Sequence, residues 1–184
     1  VSVIDTKSGT VTDTITVGKA PYGVVFSPDG TRAYVTDHFG NSVSVIDTKT
    51  RVVSATIPVG IDPWSIAITP DGKHVYSAND GGPTQPGTVT DITTKTSAVA
   101  SIGGVAGANA VAVNPSGTQA YTVGGFGIVT VMDTKTATVD QTPSGTPATP
   151  QWPNGIQLGG FNAEEVRFSP DGTGLAAGGT DGKT

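Results

Sequence analysis

Val43-Ser44-Val45-Ile46-Asp47-Thr48-Lys49-Thr50 decides the fold, because Val1-Ser2-Val3-Ile4-Asp5-Thr6-Lys7-Ser8 matches it almost letter for letter. The stretch returns as Val129-Thr130-Val131-Met132-Asp133-Thr134-Lys135-Thr136, and in worn form as Val89-Thr90-Asp91-Ile92-Thr93-Thr94-Lys95-Thr96. Its lysines, Lys7, Lys49, Lys95 and Lys135, are spaced by 42, 46 and 40 residues. Ser27-Pro28-Asp29-Gly30 recurs in step as Thr69-Pro70-Asp71-Gly72, Asn114-Pro115-Ser116-Gly117 and Ser169-Pro170-Asp171-Gly172. Self-similarity of this kind marks a chain built from one supersecondary unit used again and again.

Each unit reads as four short strands. Gly23 to Phe26 leads into the Pro-Asp-Gly turn and Thr31 to Thr36 leads out of it, and Asp-Gly supplies the positive φ a tight hairpin demands. The Val-Ser-Val-Ile run is the third strand, and Val52 to Val59 the fourth. Units of about 40–45 residues with four strands each are blades of a β-propeller. Composition agrees. Thr and Val supply 29 and 23 of the 184 residues, Gly and Pro 26 and 13, while Leu and Glu number two each. β-branched residues favour strands, and the helix formers Leu, Glu and Met are nearly missing, so helical bundles and coiled coils are excluded. No apolar run approaches the 18 residues of a membrane helix. A net charge of −5, with no cluster of basic residues, argues against nucleic acid as a partner. Without Cys there are no disulfides and no thiolate sites.

Dividing the chain by its markers gives half a blade over 1–19, blades over 20–60, 61–104 and 105–142, an insert over 143–160, and half a blade over 161–184. The insert shows in the distance from marker Lys to marker Pro, which is 21, 21 and 20 residues and then 35. We read it as a surface loop or, around Trp152, a binding loop. The repeats begin on a third strand and end after a second. Residues 163–184 could therefore close a ring with 1–19, or the chain could be an in-phase portion of a larger propeller. The start on Val1 leads us to expect that sequence precedes it.

Tyr34-Val35-Thr36-Asp37, Tyr76-Ser77-Ala78-Asn79 and Tyr121-Thr122-Val123-Gly124 close the second strands. In these the chain resembles the YVTN-type β-propeller repeat of archaeal surface-layer proteins and many secreted or periplasmic bacterial proteins. Asp37 and Gly124 depart from the final Asn of the motif, and the last copy, Leu175-Ala176-Ala177-Gly178, lacks the aromatic. The resemblance implies a ring of usually about seven blades, roughly 300 residues at this period. It also implies an extracytoplasmic location (secreted, periplasmic or cell-surface) and a scaffold that mediates binding, to a protein or a cell-surface glycan, or cell-surface structure.

Chemistry is thinly provided. His38 and His74 fall at opposite ends of the blades, so they share no metal and serve no common nucleophile, and both read as solvated. Asp29, Asp71 and Asp171, like Asp5, Asp47 and Asp133, recur at turns, where a short carboxylate bonds the backbone ahead. Glu165 and Arg167 replace the small residues found at equivalent inner-strand positions, either to pair with each other, to stand exposed on an irregular terminal blade, or to line a channel. We therefore expect no catalytic, cofactor or metal site and no enzymatic activity. The alternatives are an enzyme of lactonase-like or quinoprotein-like type acting at the channel mouth, and a single-stranded nucleic-acid binder.

What varies between units is one end of the blades. Tyr22, Trp64, Asn109 and Glu164 each stand six residues before the marker Pro. With His38, Phe39, Phe126 and Trp152 they gather where second strands end and new blades begin. Aromatic anchors of this kind dominate binding surfaces, so Tyr22, His38, Phe39, Trp64, Phe126 and Trp152 are the candidate partner-binding residues. Tyr22 and Trp64 could alternatively cap the blade cores.

Overall fold

The protein is described by a computed structural model over residues 1–105, 108–124, 128–139, 155–157 and 162–180. Runs of Val, Ile and Thr alternate with small residues and pair as antiparallel meanders, turned by Gly-containing loops and by the Asp-Thr-Lys-Thr type of hairpin. β1 (Ser2–Asp5) pairs with β2 (Thr10–Thr14). β3 (Pro21–Phe26), β4 (Arg32–Asp37), β5 (Ser42–Asp47) and β6 (Val52–Pro58) form the first complete sheet. β7 (Pro63–Ile68), β8 (His74–Asn79), β9 (Thr88–Thr93) and β10 (Val99–Ile102) form the second. β11 (Ala110–Val113), β12 (Gln119–Gly124), β13 (Ile128–Asp133), β14 (Thr138–Val139) and β15 (Gly155–Gln157) form the third, and β16 (Asn162–Phe168) pairs with β17 (Leu175–Thr180). Among the described residues, helix is confined to 3-10 turns at His38–Gly40 and Gly82–Thr84. The architecture is all-β, with the four-stranded antiparallel blades of a β-propeller.

The insert differs from a plain surface loop. Gly155–Gln157 runs antiparallel to Ile128–Thr130, beside the short β14 that pairs with Met132 and Asp133. The outermost strand of the third blade is thus in two pieces, with the extra residues between them. The two half-blades, β1–β2 and β16–β17, are separate sheets, so the closure considered for 163–184 with 1–19 is not formed by strand pairing among the described residues.

Blades pack face to face. Tyr34, Val43 and Val45 of the first blade meet Ile66, Val75 and Ile92 of the second. Tyr76 and Val89 of the second meet Val111, Ala120 and Met132 of the third, and Ala110, Val123 and Val129 meet Ala163 and Val166. Ile15, after β2, packs on Ala33, Val35 and Ile46. The motif tyrosines Tyr34 and Tyr76 are the largest of the fully buried side chains. Burial pushes the Tyr76 hydroxyl well above its ordinary range, with nearby carboxylates adding to the effect.

The turns explain why the markers repeat. Gly30, Gly72, Gly117 and Gly172 have φ of +70°, +71°, +73° and +73°, the left-handed region that costs a residue with a Cβ. Asp29, Asp71 and Asp171 accept the backbone N–H two residues ahead. Thr48, Thr94 and Thr134 donate their hydroxyls to the carbonyls of Gly30, Gly72 and Gly117, tying each third-strand hairpin to the Pro-Asp-Gly or Pro-Ser-Gly turn of its own blade. This end of the molecule spends its polar side chains on itself.

Candidate ligand-binding site

Trp64 organises the opposite end. Its ring lies 4.5 Å from that of Tyr22, edge to face, and 4.3 Å from that of His38, which in turn lies 4.5 Å from Phe39. Edge-to-face and tilted contacts at such separations are those aromatic rings prefer. The backbone beneath is fixed by Thr36, whose hydroxyl accepts the Gly23 N–H at 2.8 Å and donates to the Trp64 carbonyl at 3.1 Å. A Cβ on Gly23 would sit 2.9 Å from that carbonyl, so only glycine lets β3 and β7 approach this closely. The cluster is two-layered. Tyr22 and Phe39 are 67% and 69% exposed, Trp64 is half-buried, and His38 is 9% exposed beneath them.

His38 is therefore not the solvated residue anticipated from its loop position; the 3-10 turn folds it under Trp64 and Phe39. His74 also departs from that reading, since its Nδ1 lies 2.9 Å from Asp91, itself buried. The sequence hides both outcomes. A three-residue 3-10 turn has too few positions to show periodicity, and Asp91 stands where the other repeats carry Val3, Val45 and Val131.

Around the cluster stand carboxylates. Asp37 ends β4 fully buried, with Oδ2 accepting the hydroxyls of Ser42 and Ser44 and Oδ1 without a partner among the described residues. Its counterpart Asn79 is better satisfied, donating to Thr88 and Thr90 and accepting from Ser77. In the third blade Gly124 and Ile128 abolish the arrangement. Burial and the neighbouring Asp62 charge raise the Asp80 carboxyl above its usual range, and His38 opposes the shift. Asp62 escaped the sequence reading; its backbone is held left-handed, and its N–H is bonded to Asn41 Oδ1 at 3.1 Å. Among the described residues no three His, Asp or Glu side chains are grouped to hold a metal.

Beside the cluster a cleft of about 600 Å³ opens between β3 on one side and β16–β17 on the other, with Ser65 and Asn109 between them. Glu165 and Arg167 form the ion pair considered from the sequence, with Nε and Nη2 both donating to Oε1 at 2.9 and 2.8 Å, and the pair lines this cleft. Tyr22, His38, Phe39 and Trp64 are thus brought together, with Asn109 and Glu164 around the same cleft. Phe126 and Trp152 lie outside the described residues.

No known protein family matches the chain, and no curated protein matches it. Among solved structures it is similar to Kuenenia stuttgartiensis hydrazine synthase, at 24% identity over 90% of this chain, with a TM-score of 0.74. The match is one of fold. This chain spans 44% of the length of that one. The likeness corrects the expectation of no enzymatic activity: the same arrangement of blades is present in an enzyme. A poor stock of catalytic side chains in these blades therefore does not mark the protein as free of catalysis.

Proposed function

We infer that the chain is a binding module of an extracytoplasmic, YVTN-type propeller protein, and that its partner, a protein or a cell-surface glycan, docks on the end carrying Trp64. The observation behind this reading is the layering of that end. Tyr22 and Phe39 stand exposed on either side of an ordered Trp64–His38 platform. A pre-positioned aromatic group loses little entropy on binding and contributes most of the energy in typical interfaces. The other end, occupied with its own turns, offers nearly identical corners and little that is specific. The motifs ending in Asp37 and Asn79 favour the surface-protein setting through their resemblance. The test is binding of fluorescently labelled protein to intact cells of the producing organism. Tyr22→Ala/Phe39→Ala should lower the bound fraction at least tenfold with an unchanged melt, because both rings are exposed. Equal binding by the double variant, or no binding by either, would refute the reading.

A further inference from the structure

The geometry points to the cleft between β3 and β16–β17 as a binding site for a neutral carbohydrate chain, an assignment that rests on this end of the propeller being its binding end. The cleft, about 600 Å³, is within the size of small-molecule sites, roughly 300–1,000 Å³. Its two walls differ in character. Tyr22 and Val24, 67% and 54% exposed, make one wall apolar, with Trp64 at their base. Glu164, Glu165 and Arg167 make the other wall charged.

The polar groups keep unused capacity in both senses. Arg167 gives Nε and Nη2 to a single oxygen of Glu165, leaving Nη1 and Glu165 Oε2 without partners among the described residues. Asn109 donates to the Ala163 carbonyl at 3.4 Å and retains its Oδ1 as an acceptor. Ser65 Oγ accepts the Val111 N–H at 3.3 Å, so its own O–H remains to donate. Donors and acceptors are interspersed, which suits a ligand whose groups do both.

Other ligand classes fit worse. An anion would meet two carboxylates against one guanidinium. A cation would find both carboxylates already engaged, Glu165 paired with Arg167 and Glu164 accepting the Thr180 hydroxyl at 3.3 Å. A wholly apolar ligand would strip water from an ion pair without replacing its hydrogen bonds, which costs more than the apolar contact returns. A pyranose chain satisfies both walls. Its C–H faces lie against the aromatic ring, and its hydroxyls both donate and accept on the opposite side.

The test is calorimetric titration with maltotetraose, cellotetraose, mannotetraose and chitotetraose, with spermidine and trigalacturonate as charged competitors. At least one neutral tetrasaccharide should saturate the protein and shift its Trp emission. Tyr22→Ala and Arg167→Ala should each raise its Kd about tenfold or more while leaving the melt unchanged, and Arg167→Lys, unable to keep the two-nitrogen grip on Glu165, should not restore it. The assignment is overturned if no neutral tetrasaccharide binds, if binding ignores both substitutions, or if either charged competitor displaces the sugar at equal concentration. Loss of cell binding by Tyr22→Ala/Phe39→Ala without any sugar binding would leave the binding end standing and remove only the ligand class. Failure of both removes both.

Discussion

Asp29, Asp71 and Asp171 are exposed, yet hydroxyl and backbone N–H donors in their own turns hold each carboxyl down at about 2, led by Ser27, Thr69 and Ser169 respectively. Their folded values lie below the ordinary 3.8, so the ionised turn is what stabilises the fold. That contribution is complete above about pH 4 and is lost as pH falls towards 2. Asp80, raised by burial, carries the opposite sign and loses stability as pH rises through its shifted value. The third blade shows a turn without this sensitivity, because Asn114 Oδ1 accepts the N–H groups of Thr118 and Gln119 in place of an Asp. Asp29→Asn/Asp71→Asn/Asp171→Asn should accordingly flatten the fall in melting temperature between pH 4 and pH 2, and identical slopes would show that these turns contribute nothing. Asp37 poses the reverse case, since its buried Oδ1 has no partner among the described residues while Asn79 manages the same position with an amide. Asp37→Asn would let the amide donate to the Ser42 and Ser44 oxygens, as Asn79 does to Thr88 and Thr90. A gain of about 1–3 kcal/mol is expected, read as a rise of several degrees in the melt. A loss would mean that the carboxylate is engaged in something the amide cannot do.

At the level of elements, the hairpin turns do more than reverse the chain. A Cβ on Gly72 would lie 3.1 Å from Pro28 Cδ, one on Gly117 3.1 Å from Pro70, and one on Gly172 3.1 Å from Pro115. Each turn glycine therefore rests on the marker proline of the blade before it, and Pro-x-Gly serves as an inter-blade clasp as well as a bend. Gly30 would meet nothing within 4 Å. All four glycines share the left-handed backbone, worth roughly 1–2 kcal/mol against alanine, but three of them also share the clasp. Melts of the single Gly→Ala variants should rank Gly30 as the mildest, with the other three more destabilising by an overpacking cost of about 1 kcal/mol or more. Four equal losses would reduce the clasp to coincidence. The repeat itself was legible in the sequence because hairpin chemistry is local: Pro, Asp and Gly carry their conformations with them. The clasp was not, since it joins residues a full blade apart. The same limit applied to His74 with Asp91 and to His38 under Trp64, where tertiary contact decides what loop position cannot. Tyr22, Phe39 and Trp64 were locatable because they break an otherwise regular pattern, whereas Asp62 breaks none.

For the whole molecule, the three faces between the successive inner strands β3, β7, β11 and β16 follow one recipe, an apolar pair on one inner strand covered by small residues on the inner strand before it. Ile66 and Ile68 are met by Val25 of β3, Val111 and Val113 by Ala67 of β7, and Val166 and Phe168 by Ala110 and Ala112 of β11. Val24 and Phe26 are the corresponding pair on β3, and they stand 54% and 59% exposed. The strand across the cleft, β16, presents Glu165 and Arg167 at the covering positions, and burying that ion pair against Val24 and Phe26 would desolvate both charges. The chemistry of β16 therefore opposes a tight four-bladed closure and keeps the cleft open. An exposed apolar row of this kind promotes association in a soluble chain. Val24→Ser/Phe26→Ser should consequently leave the melt of the isolated chain within about 0.5 kcal/mol, as for surface positions, while reducing self-association in sedimentation and dye binding to exposed apolar surface. A loss of about 3–5 kcal/mol, the cost of truncating a core aromatic, would instead mean that β3 is covered in solution, and the cleft, whose apolar wall includes Val24, would then be closed to any ligand.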